Sequence, residues 1–76
     1  MKYDASAIGR VIRQLRTNKG MSQEVLSGFA NIARSHLAMI EAGSKAANVE
    51  TLWKIAQALE MPLSELIHMA EQSSQE

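Results

Sequence analysis

Four basic side chains recur at every third position near the start of the chain: Arg10, Arg13, Arg16 and Lys19. On a helix this spacing makes a drifting stripe of cations. Such a stripe is either a solvated helix face or a surface that meets phosphate. The other residue types that carry chemistry are sparse. His36 and His68 lie in different segments and suggest no triad. Glu65 and His68 have the i, i+3 spacing of di-iron bundles, but those sites need further carboxylates on partner helices, so no metal is expected. There is no cysteine, which excludes disulfides and thiolate zinc sites. Neither a Gly-rich phosphate loop nor a nucleophile elbow occurs. Enzyme activity and a cofactor are therefore not expected.

The chain holds 8 Lys+Arg and 8 Asp+Glu, a net charge of zero. Taken alone, that sum argues against nucleic acid. The distribution argues the other way. Residues 1–45 carry Lys2, Arg10, Arg13, Arg16, Lys19, Arg34 and Lys45 against Asp4, Glu24 and Glu41, a net of +4. Residues 46–76 carry Lys54 against Glu50, Glu60, Glu65, Glu71 and Glu76, a net of −4. The basic half is where a polyanion would dock.

The elements that position these charges are helices. Ile8, Val11, Ile12 and Leu15 fall at i, i+3, i+4 and i+7, one face of a first helix. Asp4 or Ser6 caps its start, and Lys19-Gly20 ends it. Ser22 caps a second helix that carries Leu26 and Ala30 inward and stops near Asn31. A third runs from about Ala33 to Ala42, with Leu37 and Ile40 inward, and Gly43 ends it. A short loop follows, and Asn48 caps a fourth helix carrying Leu52, Ile55, Ala56 and Leu59. Pro62 ends that helix and opens a fifth, with Leu63, Leu66, Ile67 and Ala70 on one side. The polar residues 72–76 are expected to fray. No strand pattern competes. With 76 residues, 46% of them apolar, the expectation is one domain over 1–76, an all-α, compact five-helix bundle with its core in about residues 5–70. No apolar run suits a membrane span, and the N-terminus does not read as a signal peptide.

The segment 22–43, SQEVLSGFANIARSHLAMIEAG, has the parts of a helix-turn-helix. Ser27 is small enough for two helices to cross closely. Asn31 accepts a left-handed backbone. Ile32, Leu37 and Ile40 pin the second helix. The stretch from about residue 7 to 67 resembles the Cro/repressor-type helix-turn-helix family (XRE family), in its LRTNKGMSQ, RSHLAMIEAG and VETLWKIAQALEMPLSELI segments. The sequence departs from the family in several places. Ser27 and Asn31 stand where Ala and Gly are usual, Ala33 replaces a Ser or Thr cap, and Ala46-Ala47 replaces a frequent Asn-Pro.

The resemblance implies a lambda-repressor-like fold and a cytoplasmic regulator of transcription that binds double-stranded DNA. By family position, Arg34, Ser35, His36 and Met39 are implied to contact bases in the major groove. For Arg34 the choices are a guanine edge, a phosphate or a structural role. For His36 a plain exposed position is the alternative, and for Met39 the choices are a thymine methyl or simple packing. Gln23, Arg10, Arg13, Lys45 and Asn48 are implied to contact phosphates, Asn48 with a capping role as its alternative. Glu41 is expected to pair with Arg16 or Arg10. One helix in one groove binds weakly, so the resemblance also implies a homodimer. Many family members carry an extra domain for that purpose. With none in this sequence, its own surface is expected to serve, through Trp53, Leu63, Leu66, Ile67 and Met69. The competing reading is that Trp53 and Leu66 complete the core. Among subgroups, the sequence looks most like the small controller proteins of restriction–modification systems. The alternative is a protein-interaction adaptor of the same fold, an antitoxin or a module that binds RNA polymerase or a coactivator.

Overall fold

The structure, a computed structural model, describes residues 3–74. Five helices follow one another: α1 (Ala5–Asn18), α2 (Gln23–Ala30), α3 (Arg34–Glu41), α4 (Val49–Ala58) and α5 (Leu63–Ser74). Among the described residues there is no strand, and no helix is long and apolar enough to cross a membrane.

Most helix ends are set by side chains the sequence supplies locally. Of the two expected caps for α1, Asp4 does the work: its carboxylate accepts the Ala7 N–H at 3.0 Å. That hydrogen bond, then one from the Ser74 hydroxyl and the nearby Arg10 charge, hold the Asp4 carboxyl below its ordinary value. Ser22 accepts the Val25 N–H at 3.1 Å, and Asn48 accepts the Thr51 N–H at 2.8 Å. As the sequence implies, Ala33 gives α3 no side-chain cap. Glu60 is a second left-handed residue after Asn31, at φ 60°, and it closes α4 without the usual glycine.

The core is filled by Ile12, Leu26, Leu37, Ile40, Ile55, Leu59 and Leu66, each below 2% exposed, so all five helices contribute. Helix α1 lies against α3 and α5, α2 against α3 and α4, and α4 against α5. Two expectations are corrected here. Leu66 is wholly buried, so it cannot form an interface with another copy. Residues 72–74 are not frayed but form the last turn of α5. That turn is tied to α1, with Arg10 Nη2 3.4 Å from Ser73 Oγ and Ser74 beside Asp4. Residues 75 and 76 lie outside the described residues.

One contact fixes α3 on α1. Gly9 is buried, and a Cβ there would sit 2.6 Å from the Glu41 carbonyl oxygen and closer still to that of Ile40. Only a residue without a side chain lets the two backbones approach this closely.

Candidate nucleic-acid interface

The turn between α2 and α3 depends on Asn31, whose φ of 57° and ψ of 47° reverse the chain in the left-handed region. The Ile32 N–H then donates to the Ser27 carbonyl at 3.0 Å, closing α2. Ser27 is buried where the helices cross, and its hydroxyl donates back to the Glu24 carbonyl at 3.0 Å, which satisfies it. Leu37 and Ile40 turn inward and orient α3, as the spacing predicts.

Glu41 also turns inward. Arg16 Nε donates to its Oε2 at 2.7 Å and Arg16 Nη2 to its Oε1 at 2.9 Å, a two-pronged pair. Gln23 Nε2 donates to the same Oε1 at 3.1 Å, and Arg16 Nη1 to the Met21 carbonyl at 2.8 Å. Of the two arginines expected beside Glu41, the structure selects Arg16. The hydrogen bonds that Arg16 donates to Glu41 chiefly, and the Glu41 charge in addition, raise the Arg16 pKa further above its already high ordinary value. The network joins the end of α1, the start of α2 and the end of α3. No buried side-chain nitrogen or oxygen among the described residues lacks a partner.

The other face of α3 is uncovered. Arg34, Ser35 and Met39 are exposed, and His36 is half-buried at one edge. Gln23 is the first residue of α2, and its amide is steered by Glu41. Lys45 and Asn48 are exposed around the loop before α4, with the Asn48 side-chain oxygen engaged in its cap. Among the described residues the ion pairs are Arg16–Glu41 and a long Lys19–Glu60 contact of 3.9 Å, which leaves Arg10, Arg13, Arg34, Lys45 and Lys54 outside any ion pair. Arg10 differs from Arg34 and Lys45 in position. It leans toward Ser73 at the far end of α5, while Gly9 and Arg16 form the side of α1 that faces α3.

The expected interface residues separate in the same way. Trp53 is 56% exposed, which overturns the reading of it as core. Leu63, Ile67 and Met69 are half-buried. Ile67 lies beside Tyr3 and Ile8, whereas Met69 lies on the opposite flank of α5 beside Arg10 and Gln14. One flat contact does not use both. Sequence reasoning missed Val49, 66% exposed one turn before Trp53, and Tyr3, whose hydroxyl donates to the Ala47 carbonyl at 3.4 Å. It also missed Phe29, 70% exposed on α2 beside a shallow groove formed with Asn31, Lys54 and Gln57. Phe29 is three residues after Leu26, a spacing that suits burial, so no local signal marks it as exposed.

Comparison with known proteins agrees with this architecture. The helix-turn-helix family pattern HTH_3 matches residues 12–66. The HTH-type transcriptional regulator SutR of Escherichia coli (strain K12) is 33% identical over 67 residues, which are 88% of this chain and 38% of SutR. The competence pilus inhibition repressor of Acinetobacter baylyi is 29% identical over 69 residues, 91% of this chain and 63% of the repressor. The chain thus spans less than two thirds of either relative. The restriction–modification controller protein C.AhdI of Aeromonas hydrophila superposes with a TM-score of 0.81 at 35% identity, covering 83% of this chain and 96% of C.AhdI. The controller protein C.Esp1396I, solved as a tetramer in complex with its natural 35 base-pair operator, superposes with a TM-score of 0.88 at 26% identity, covering 100% of both chains. With the matched pattern running from within α1 into α5 across the Ser27 crossing and the Asn31 turn, the chain belongs to the XRE-type helix-turn-helix family.

Proposed function

We propose that this protein is a sequence-specific regulator of transcription that binds double-stranded DNA as a homodimer on a palindromic operator. The observation that carries the reading is the uncovered face of α3, with Arg34, Ser35 and Met39 exposed, on a helix whose last residue, Glu41, holds Gln23 at the start of α2. Arg34 reads a base edge through its planar fork, and Ser35 and His36 add hydrogen bonds. Gln23, Arg13 and Lys45 meet phosphates, helped by the N-terminus of α2. The Asn48 oxygen caps α4, which leaves its amide N–H donors for the phosphate contact. The two-fold contact uses Trp53, Leu63 and Ile67, extended by Val49 and Tyr3. Its site of action is the bacterial cytoplasm.

The similarity to C.AhdI and C.Esp1396I supports the narrower reading that it is a controller protein of a restriction–modification system. A second reading is favoured by one observation, the exposed Phe29 beside its groove, a surface suited to a protein such as RNA polymerase. Selection of bound sequences from a random pool tests the first reading. A palindrome whose binding weakens steeply with salt supports it. An unselective pool with no salt dependence favours the adaptor.

A further inference from the structure

The groove-facing side of α3 changes chemistry along its length. Residues Ser35, Ala38, Met39 and Ala42 fall at i, i+3, i+4 and i+7, on the side opposite buried Leu37, Ile40 and Glu41. Ser35, Met39 and Ala42 are exposed, Met39 at 41%, and Ala38 is half-buried. Along this row of residues, with His36 to one side of it, donors and acceptors end at Ser35. Beyond it the face offers two methyl groups and a thioether chain. These groups cannot read the donor and acceptor pattern of a base edge. The one apolar feature that bases present in the major groove is the thymine C5 methyl. A cytosine amino group or guanine O6 set against Ala38 or Met39 would lose water without gaining a partner.

We infer that Ala38, Met39 and Ala42 form an apolar ridge that specifies thymines by their methyl groups, while Arg34 and Ser35 read the polar edges at the other end of the helix. This rests on the proposed entry of α3 into the major groove. Met39 is unbranched and exposed, so it can adapt to two neighbouring methyls. The alanines are small, so they let the helix approach the bases closely enough for methyl contact. The half-site is thus divided into a hydrogen-bonded part and a methyl-read part, and only the second requires thymine.

The test uses the full chain and its selected site. Thymines in each half-site are replaced one at a time by deoxyuridine, which removes the methyl and leaves every hydrogen-bonding group in place. Binding is expected to weaken about fourfold for each contacted methyl, the effect of one buried methyl-sized group. Met39→Ala is expected to erase the thymine-over-uracil preference at its position while leaving the Arg34-dependent preference intact. Met39 is on the surface, so the variant does not threaten the fold. The inference is overturned if the selected half-sites bind equally with uracil throughout, or if Met39→Ala discriminates thymine from uracil as the parent does. A pool that yields no enriched site overturns the groove reading and this inference together.

Discussion

Glu41 illustrates how far one side chain can organise a binding surface without touching its ligand. It turns two potential surface charges, its own and that of Arg16, into one buried neutral pair, and it uses the remaining capacity of Oε1 to hold Gln23. Removing one partner from such a pair leaves the other charge buried and unmatched. Glu41→Ala is expected to destabilise the fold by about 3–5 kcal/mol in urea unfolding, while replacing Arg16 and Glu41 together by Met and Leu costs much less. The opposite kind of residue is Arg34, exposed and outside any ion pair among the described residues. Arg34→Ala is expected to weaken specific binding by about 1–3 kcal/mol and to relax one base position, with the fold unchanged, as selection repeated on the variant will report. Asp4 gives a pH dependence. Its folded-state pKa lies below the ordinary 3.8, so its stabilising contribution is complete above that value and disappears as pH falls through the lower folded value. The stability difference between Asp4→Ala and the parent should therefore be largest near neutrality and shrink in acid below about 3.8, in thermal melts across that range.

The helices themselves were written plainly in the sequence, because each carries its own apolar period and most carry their own cap. Ser22, Asn31, Asn48 and Pro62 mark boundaries by chemistry that acts within one turn of the chain, and the structure follows them. What could not be read locally was set by neighbours distant in sequence. The polar end of α5 looks disordered in isolation, whereas in the bundle it is helical and lies beside Arg10 of α1 and the Asp4 cap. Gly9 looks like a liability in a helix until α3 is laid across it. The period of α4 puts Trp53 next to Leu52 and Ala56, so the sequence alone leaves its side undecided, and only the packed bundle turns it outward. Two glycines inside helices thus have opposite meanings. Gly9→Ala forces a Cβ against the Ile40 and Glu41 carbonyls and is expected to cost about 1–3 kcal/mol, shifting α3. Gly28→Ala meets no atom within 4 Å and is expected to stabilise α2 by about 1 kcal/mol. Paired urea titrations of the two variants check both signs at once.

At the scale of the molecule, the bundle measures 31 × 22 × 21 Å. Two recognition helices reading half-sites one turn apart lie roughly 34 Å from each other, so copies placed side by side nearly fill that spacing. The single tryptophan stands exposed on α4, which makes it a reporter of the proposed two-fold contact. Its emission should shift to the blue as the concentration rises through tens of micromolar, and Trp53→Glu, which removes the fluorophore, should remove the dimer in sedimentation. A fixed emission with a monomer at all concentrations would exclude that face.

The division of charge, +4 in residues 1–45 and −4 in residues 46–76, has a kinetic consequence. A protein without net charge is drawn only feebly toward a polyanion from afar, and at physiological salt even that pull fades within about 8 Å. Inside that distance, separated charges act less as an attraction than as a torque. On the proposed reading, the half that carries α3 and Arg34 would turn to the duplex before contact, so collisions led by the acidic half would be converted into productive ones. The gain is in the fraction of encounters that succeed, not in their number.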